Sequence, residues 1–351
     1  MKWIFLSLFM CSAVLAESYK ATSEKSCSPL DLRTPLLKDI RNQKAISWCY
    51  AFTGADMLEY TFDLSEKISA ADIAINYNDS DLGSFIRWIT STFGGARPTP
   101  GNPTFMMPHQ NGFNKVAMER GMRDGFCPER VFPSESWTKM VRDGNGFREQ
   151  KSDLRPAMLE IFELIQKQKI LTVENLPFYY HFKNIESPAE FLALIKVKNA
   201  DSFYSKLRQE VCKHDRIPFP KKFPVVMDFK NTATFVSMNK SLDQGRLVGM
   251  DYDDRITSNR NNRGVMMNEL HTSAIVARRW NAEKKECAYL IHDTRGKGCS
   301  RYDQSYECLG GQIWVEESLL YPNMVSTVTI QVLRDKTSRI RGLSSCRVVF
   351  S

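Results

Sequence analysis

Past its first sixteen residues the 351-residue chain has no apolar run long enough to cross a bilayer, a length of about 20 residues. It has no dense basic run and no basic-aromatic module. Its Lys and Arg are intermixed with Asp and Glu, so the net charge of +8 does not point to nucleic acid. No internal repeat and no low-complexity tail is present, which excludes repeat architectures and a disordered tail. Histidine is scarce, with five in all, so any search for an imidazole that does chemistry is short. What remains is a globular composition, 42% hydrophobic and 25% charged, with length for two or three domains or for one domain carrying an insertion.

The first residues, MKWIFLSLFMCSAVLA, read as a signal peptide (1–16), with Val14 and Ala16 at the −3 and −1 positions of a cleavage site. Met10 stands where lipid attachment at Cys11 wants a small residue. The expectation is an exported protein, periplasmic or extracellular, without stable membrane insertion. Eight of the nine cysteines lie beyond the leader. Cys299 and Cys308 bracket the short Gly-flanked segment GCSRYDQSYECLGG and are the first candidates for a local disulfide. If Cys49 is a free thiol, at least one more cysteine is unpaired; a bridged Cys49 is the open alternative and removes any catalytic role for it.

Residues 17–35 read as a polar extended arm. From 49 to 62 the apolar residues Ala51, Phe52, Ala55, Met57 and Leu58 recur at helical spacing with no Pro between them. Ser69 is placed to cap a second helix. The tract 92–112 carries four Pro and many Gly or polar residues and reads as loop. The stretch GFNKVAMERGM reads as a helix stopped at Gly121, and GFCPERVFPSES as a turn-rich crossing. From about 147 to 213 the pattern turns helical, in PAMLEIFELIQKQ, SPAEFLALIKVK and DSFYSKLRQEVCKH, until Pro218, Pro220 and Pro224 end it. FPVVMDF, HTSAIVARRW, ECAYLIHD, GGQIWVEE and VSTVTIQV read as strands, and 241–267 as a long exposed connection. Helices first and an antiparallel sheet second give an α+β protein with a cleft where the layers meet.

Cys49 stands at the first turn of the central helix, where the helix dipole favours thiolate over thiol. Nucleophilic cysteine chemistry also needs an imidazole, a group to orient it and an oxyanion donor. His181 and His214 lie in the helical block and read as surface residues, while His109 sits in the Pro-rich loop. His271 opens an apolar strand, which fixes a side chain at a cleft edge. Asp293 closes the next strand, within reach of His271 if the two strands are neighbours, and His292 should point the other way. Gln43, six residues before Cys49, offers an amide toward an oxyanion.

In this order the phrases DLRTPLLKDIRNQKAISWCYAF, QNGFNKVAMERG, FPVVMDF, LHTSAIVARRW and YLIHDTRGKGC resemble the papain-like cysteine peptidases, in a divergent member of bacterial type. The resemblance covers the N-terminal third and most of 223–316. It implies a two-lobe fold: a helical lobe with Cys49 (17–146), a helical insertion (147–200), and an antiparallel sheet or barrel lobe with His271 and Asp293 (201–351). It also implies Cys49 as nucleophile, His271 as general base and acid, Asp293 as orienting residue, and Gln43 as oxyanion donor. Asn111 and Gly112 fall where backbone binds an extended peptide substrate, and no cofactor or metal is required. The chain departs from the family at Ile46, where a disulfide cysteine is usual, and at Trp48, beside the nucleophile. It departs again at Asp293, where Asn is usual, and at Arg295, where an aromatic covers the triad; Arg295 there either wets the His–Asp contact or draws Asp293 away. The Cys-to-His separation of 222 residues exceeds the roughly 130–150 of the family, and the stretch after the leader is short for an inhibitory propeptide. Two rivals stand beside the peptidase: an inactive papain-fold binding protein, and a transglutaminase-type acyl transferase using Cys-His-Asp.

Overall fold

The computed structural model describes residues 21–43, 48–78, 114–134, 136–143, 146–153, 200–219, 223–257 and 270–332. Its strands are β1 (Leu30–Asp31), β2 (Ser136–Asp143), β3 (Gly146–Asp153), β4 (Val225–Phe229), β5 (Val248–Asp253), β6 (Leu270–Asn281), β7 (Glu286–His292), β8 (Cys308–Leu309), β9 (Gln312–Glu316) and β10 (Met324–Ile330). Eight of them form one antiparallel sheet in the order β4-β10-β5-β6-β7-β9-β8, with β1 added along β6. The path is open, so the described strands make a sheet and not a closed barrel.

Both faces of this sheet are buried, and the runs AIVA in β6 and AYLI in β7 are apolar without alternation for that reason. Along β6, Ala274 and Val276 face one core, shared with the helices, and Ile275 faces the other. The helices on the first face are α1 (Pro35–Lys38), α2 (Cys49–Thr61), α3 (Ala70–Asn78), α4 (Asn114–Asp124) and α5 (Ala200–Cys212). On the second face lie α6 (Thr234–Asp243) and α7 (Glu317–Asn323), which supply Phe235, Met238, Leu242 and Leu320. The α+β architecture expected from the sequence is the one found.

Helix α2 is buried from Tyr50 through Glu59. It is therefore a central helix with no solvent face, and each large apolar side chain it buries stabilises the fold by about 1.5–3 kcal/mol. Thr53 Oγ1 donates to the Thr272 carbonyl at 2.9 Å, joining α2 to the start of β6. The Ser69 hydroxyl accepts from the Asp72 amide at 3.0 Å and caps α3, as expected.

Three disulfides are present among the described residues: Cys27–Cys287 joins the arm to β7, Cys127–Cys212 joins the segment after α4 to α5, and the expected pair Cys299–Cys308 closes a local loop. The arm is tied to the sheet by Cys27, by β1, and by Arg278 Nε donating to the Ser28 carbonyl at 3.0 Å.

Four expectations are corrected. Gly121 does not stop its helix, which runs on to Asp124; a Cβ at Gly121 would stand 1.9 Å from a Phe126 ring carbon, so the glycine makes room for that ring. Residues 241–267 are not one exposed connection, because 241–243 finish α6 and Val248–Asp253 is an interior strand between β10 and β6. The helical pattern does not begin at 147: Gly146–Asp153 pairs with Ser136–Asp143, the two strands flanking Gly144-Asn145, a strong hairpin-turn dipeptide. The rest of the expected insertion, 154–199, lies outside the described residues, as do the loop tract 92–112 and the leader. Finally α5, which begins at residue 200 and falls almost wholly in the segment expected to be the sheet lobe (201–351), packs with the helices, burying Leu207, Val211 and Cys212 in the core they share with α2.

Replacing Gly121 by Ala should force the Phe126 ring out of its seat. The expected loss is about 1–3 kcal/mol in urea unfolding, with the native fold retained; an unchanged midpoint would contradict the assigned contact.

Candidate active site

The site forms where the start of α2, the start of β6 and the end of β7 converge. Strand β6 pairs with β7 through registers such as Ala274↔His292, which brings the residue after β7, Asp293, beside the second residue of β6, His271. His271 Nε2 lies 2.8 Å from Asp293 Oδ1, and both side chains are buried. The second carboxylate oxygen of Asp293 accepts from the Tyr302 hydroxyl at 2.9 Å, and that hydroxyl also lies 3.0 Å from the Gly311 carbonyl. With both oxygens engaged the carboxylate cannot rotate, and it holds the imidazole in one orientation. The ring meets Tyr252 edge-on, with centroids 5.7 Å apart.

Cys49, the first residue of α2, is partly exposed and is the free cysteine among the described residues. The bridged alternative is thereby removed for the nucleophile candidate. Burial works to raise its thiol, but the hydrogen bond and charge of His271, with the Thr272 amide, bring it below the ordinary range. Burial likewise opposes the imidazolium, yet the Asp293 carboxylate and then Cys49 push His271 up to about 10. Against burial, the charges of His271, Arg295 and Arg301 keep Asp293 well below the usual carboxylate range. A thiol lowered and an imidazole raised by each other are the combination that favours a thiolate beside an imidazolium.

Gln43 is buried, and its Oε1 accepts from the Thr294 hydroxyl at 2.6 Å, which orients the amide. Its segment is stitched to the residues after Asp293 by Gln43 N to Thr294 O at 2.8 Å and Gly296 N to Arg41 O at 2.8 Å. Gly296 has φ +87 and a Cβ there would meet Asn42 at 2.7 Å, so only glycine fits between the two segments. His292 turns away from Asp293, as expected, to Asp56 Oδ2 at 3.0 Å and Gln312 Nε2 at 2.8 Å. His214 is exposed. Asn111, Gly112, His109 and His181 lie outside the described residues.

Two of the departures are placed by the structure. The Trp48 side chain is buried in the helical core. Arg295 neither wets the His–Asp contact nor takes Asp293. It forms an ion pair with Asp254 and approaches His271 Nδ1 at 3.3 Å.

Beneath the site runs a buried network that the sequence reading missed. Arg41, fully buried, donates to Asp56 Oδ1 at 2.9 Å, to the Ile68 carbonyl at 2.8 Å and to Glu59, while Asp56 also binds His292. These residues seat α2 on the sheet. A lone arginine eight residues before Cys49 carries no signal of burial.

The sequence matches no protein-family model and no curated protein. Among solved structures it is similar to one explaining the limited antibody cross-reactivity between the mite allergens Blo t 1 and Der p 1, at 14% identity over 90% of this chain and 74% of that one, TM-score 0.41. It is similar also to the proform of the Amb a 11 cysteine protease, a major ragweed pollen allergen, at 10% over 92% and 70%, TM-score 0.43. Digestive procathepsin L 3 of the Tenebrio molitor larval midgut gives 9% over 89% and 73%, TM-score 0.42. Identities and scores at this level leave the chemistry to be argued from this chain's own residues.

The network makes a prediction. Burial, opposed by Arg41 and reinforced by the Asp56 charge, pushes Glu59 up to about 7. A carboxyl raised in the folded state stabilises fully below its unfolded value and loses that contribution as pH rises through the folded one. Unfolding free energy should therefore fall by up to about 3 kcal/mol between roughly pH 4.5 and 7 on this account. Glu59→Gln should flatten that segment of the profile. A variant that retains the full fall would show that another group carries it.

Proposed function

We propose that the chain is an exported cysteine peptidase of papain type, hydrolysing peptide bonds through a Cys49 thiolate and a His271 imidazolium. The observation that carries this is His271 held at Nε2 by a buried, doubly anchored Asp293, with the free thiol of Cys49 near enough to the ring to be lowered by it. The disulfides fit an oxidising compartment. Among the described residues no helix is long and apolar enough to cross a membrane.

In this reading the thiolate attacks the scissile carbonyl of an extended peptide lying between the helical and sheet layers. Negative charge moves to the carbonyl oxygen. Two donors suit it: the Gln43 side-chain amide and the amide of Cys49, an N-terminal helix N–H with no intrahelical acceptor. His271, protonated at Nδ1, gives that proton to the leaving amine, and the thioester remains on Cys49. Neutral His271 then takes a proton from water, whose oxygen displaces the thiol sulfur, and the ion pair is restored. Asp293 keeps the ring in place and stabilises its positive form, which an ionised carboxylate does more strongly than an amide. Asn111 and Gly112 would lend their backbone to the substrate, and the 154–199 region would belong to an insertion in the helical lobe.

The same acyl-enzyme passed to an amine instead of water is the transglutaminase-type reaction, which the acidic third residue, Asp293, also accommodates. A fluorogenic peptide series with and without an added primary amine separates the readings. Wild type should cleave, Cys49→Ala should lose at least about a thousandfold in rate, and a peptidyl epoxide should label Cys49 alone. Preferential amine incorporation would replace hydrolysis by transfer, and a Cys49 that neither labels nor turns over would leave a binding protein.

A further inference from the structure

His271 Nε2 is taken by Asp293, which leaves Nδ1 as the ring nitrogen open to Cys49 and Arg295. Arg295 Nη2 stands 3.3 Å from that nitrogen. The guanidinium is largely buried, with 18% of its side chain exposed, and its Nη1 pairs with Asp254, which follows β5 in the chain. An N–H of Arg295 can bond Nδ1 only while Nδ1 carries no proton. The thiolate–imidazolium state needs a proton there. One nitrogen therefore serves two partners that want opposite protonation.

We infer that Arg295, pinned by Asp254, is the third charge of the reacting cluster, and that it moves the whole working pH window of the Cys49–His271 pair downward. This rests on the peptidase reading of the pair. A fixed cation favours the Cys49 thiolate and disfavours the His271 imidazolium. For transfer of the proton from Cys49 Sγ to His271 Nδ1, with no net gain or loss of protons, the two effects oppose and nearly cancel. For uptake from or release to solvent they act in the same direction, so both macroscopic titrations of the pair fall together. The arginine thus leaves the amount of ion pair at its optimum nearly unchanged and resets where the optimum lies, toward acid.

The other charged and titratable groups facing the ring and sulfur belong to several elements. Asp293 follows β7, Asp251 and Tyr252 lie on β5, Tyr302 lies in the Cys299–Cys308 loop, and Arg301 adds a cation toward Asp293. The carboxylates all favour protonated His271 and oppose the Cys49 thiolate, so they drive both titrations up. Arg295 is the cation in contact with Nδ1 that counters them.

The test uses the full-length protein and two readouts that do not require turnover: the pH dependence of Cys49 alkylation by iodoacetamide, and the 13C shift of the His271 ring, assigned by its loss in His271→Gln. In Arg295→Gln both midpoints should rise by roughly one unit, the scale set by a charge at contact distance. Arg295→Lys should restore much of the difference, and Asp254→Asn, which removes the counter-charge, should move both midpoints down. Opposite shifts in the two variants are not produced by general loosening of the site, and if Arg295→Gln fails to fold, the Lys and Asp254→Asn variants decide. Midpoints that stay in place, or that move in opposite senses within one variant, overturn the inference. Absence of any low Cys49 midpoint in the wild type would instead remove the peptidase reading beneath it.

Discussion

The joint between α2 and β6 is the constraint on which the rest depends. A sulfur on one layer and an imidazole on the other meet only if the helix is held against the sheet to within a fraction of an ångström. The burial of α2 from Tyr50 to Glu59 supplies the cohesion, and the Thr53 bond to the Thr272 carbonyl sets the position along the strand, one residue from His271. Arg41, Asp56 and His292 fix the helix from below through charged hydrogen bonds that no apolar contact could replace with the same directionality.

The protein accordingly buries two sets of charges for two purposes. Around Arg41, two buried carboxylates share one guanidinium, and burial, with the Asp56 charge beside it, raises Glu59. Around His271, the carboxylate is satisfied by a ring nitrogen and a phenol, and the tension is passed outward to the thiol. The first arrangement is a cost of fixing the helix. The second lowers the Cys49 thiol against the burial that works to raise it.

Much of this was legible. The interior strands announced themselves because a sheet buried on both faces needs continuous apolar runs, and His271 and Asp293 were paired by lying at facing ends of two such runs. The short loop between Cys299 and Cys308 marked its own disulfide. Strand β5 does carry a strand period, with buried Val248, Met250 and Tyr252 alternating with Gly249, Asp251 and Asp253, but the run is short and set in the Arg- and Asn-rich tract 241–267, whose polarity outweighed it. Cys27–Cys287 and Cys127–Cys212 join residues 260 and 85 positions apart, a separation that local pattern cannot bridge. The Asp254–Arg295 pair escaped for the same reason: its members lie 41 residues apart and meet only once β5 is an interior strand.

The central claim is that the imidazole of the sheet layer keeps the sulfur of the helical layer ionised. Thiolate absorbance in the ultraviolet, taken as the difference between wild type and Cys49→Ser during an acid titration, reads this without substrate or reagent. The account predicts thiolate persisting well below the ordinary thiol value of about 8.5, and its return to that value in His271→Gln. An ordinary titration in the wild type, or a depressed one that survives loss of the imidazole, would contradict it.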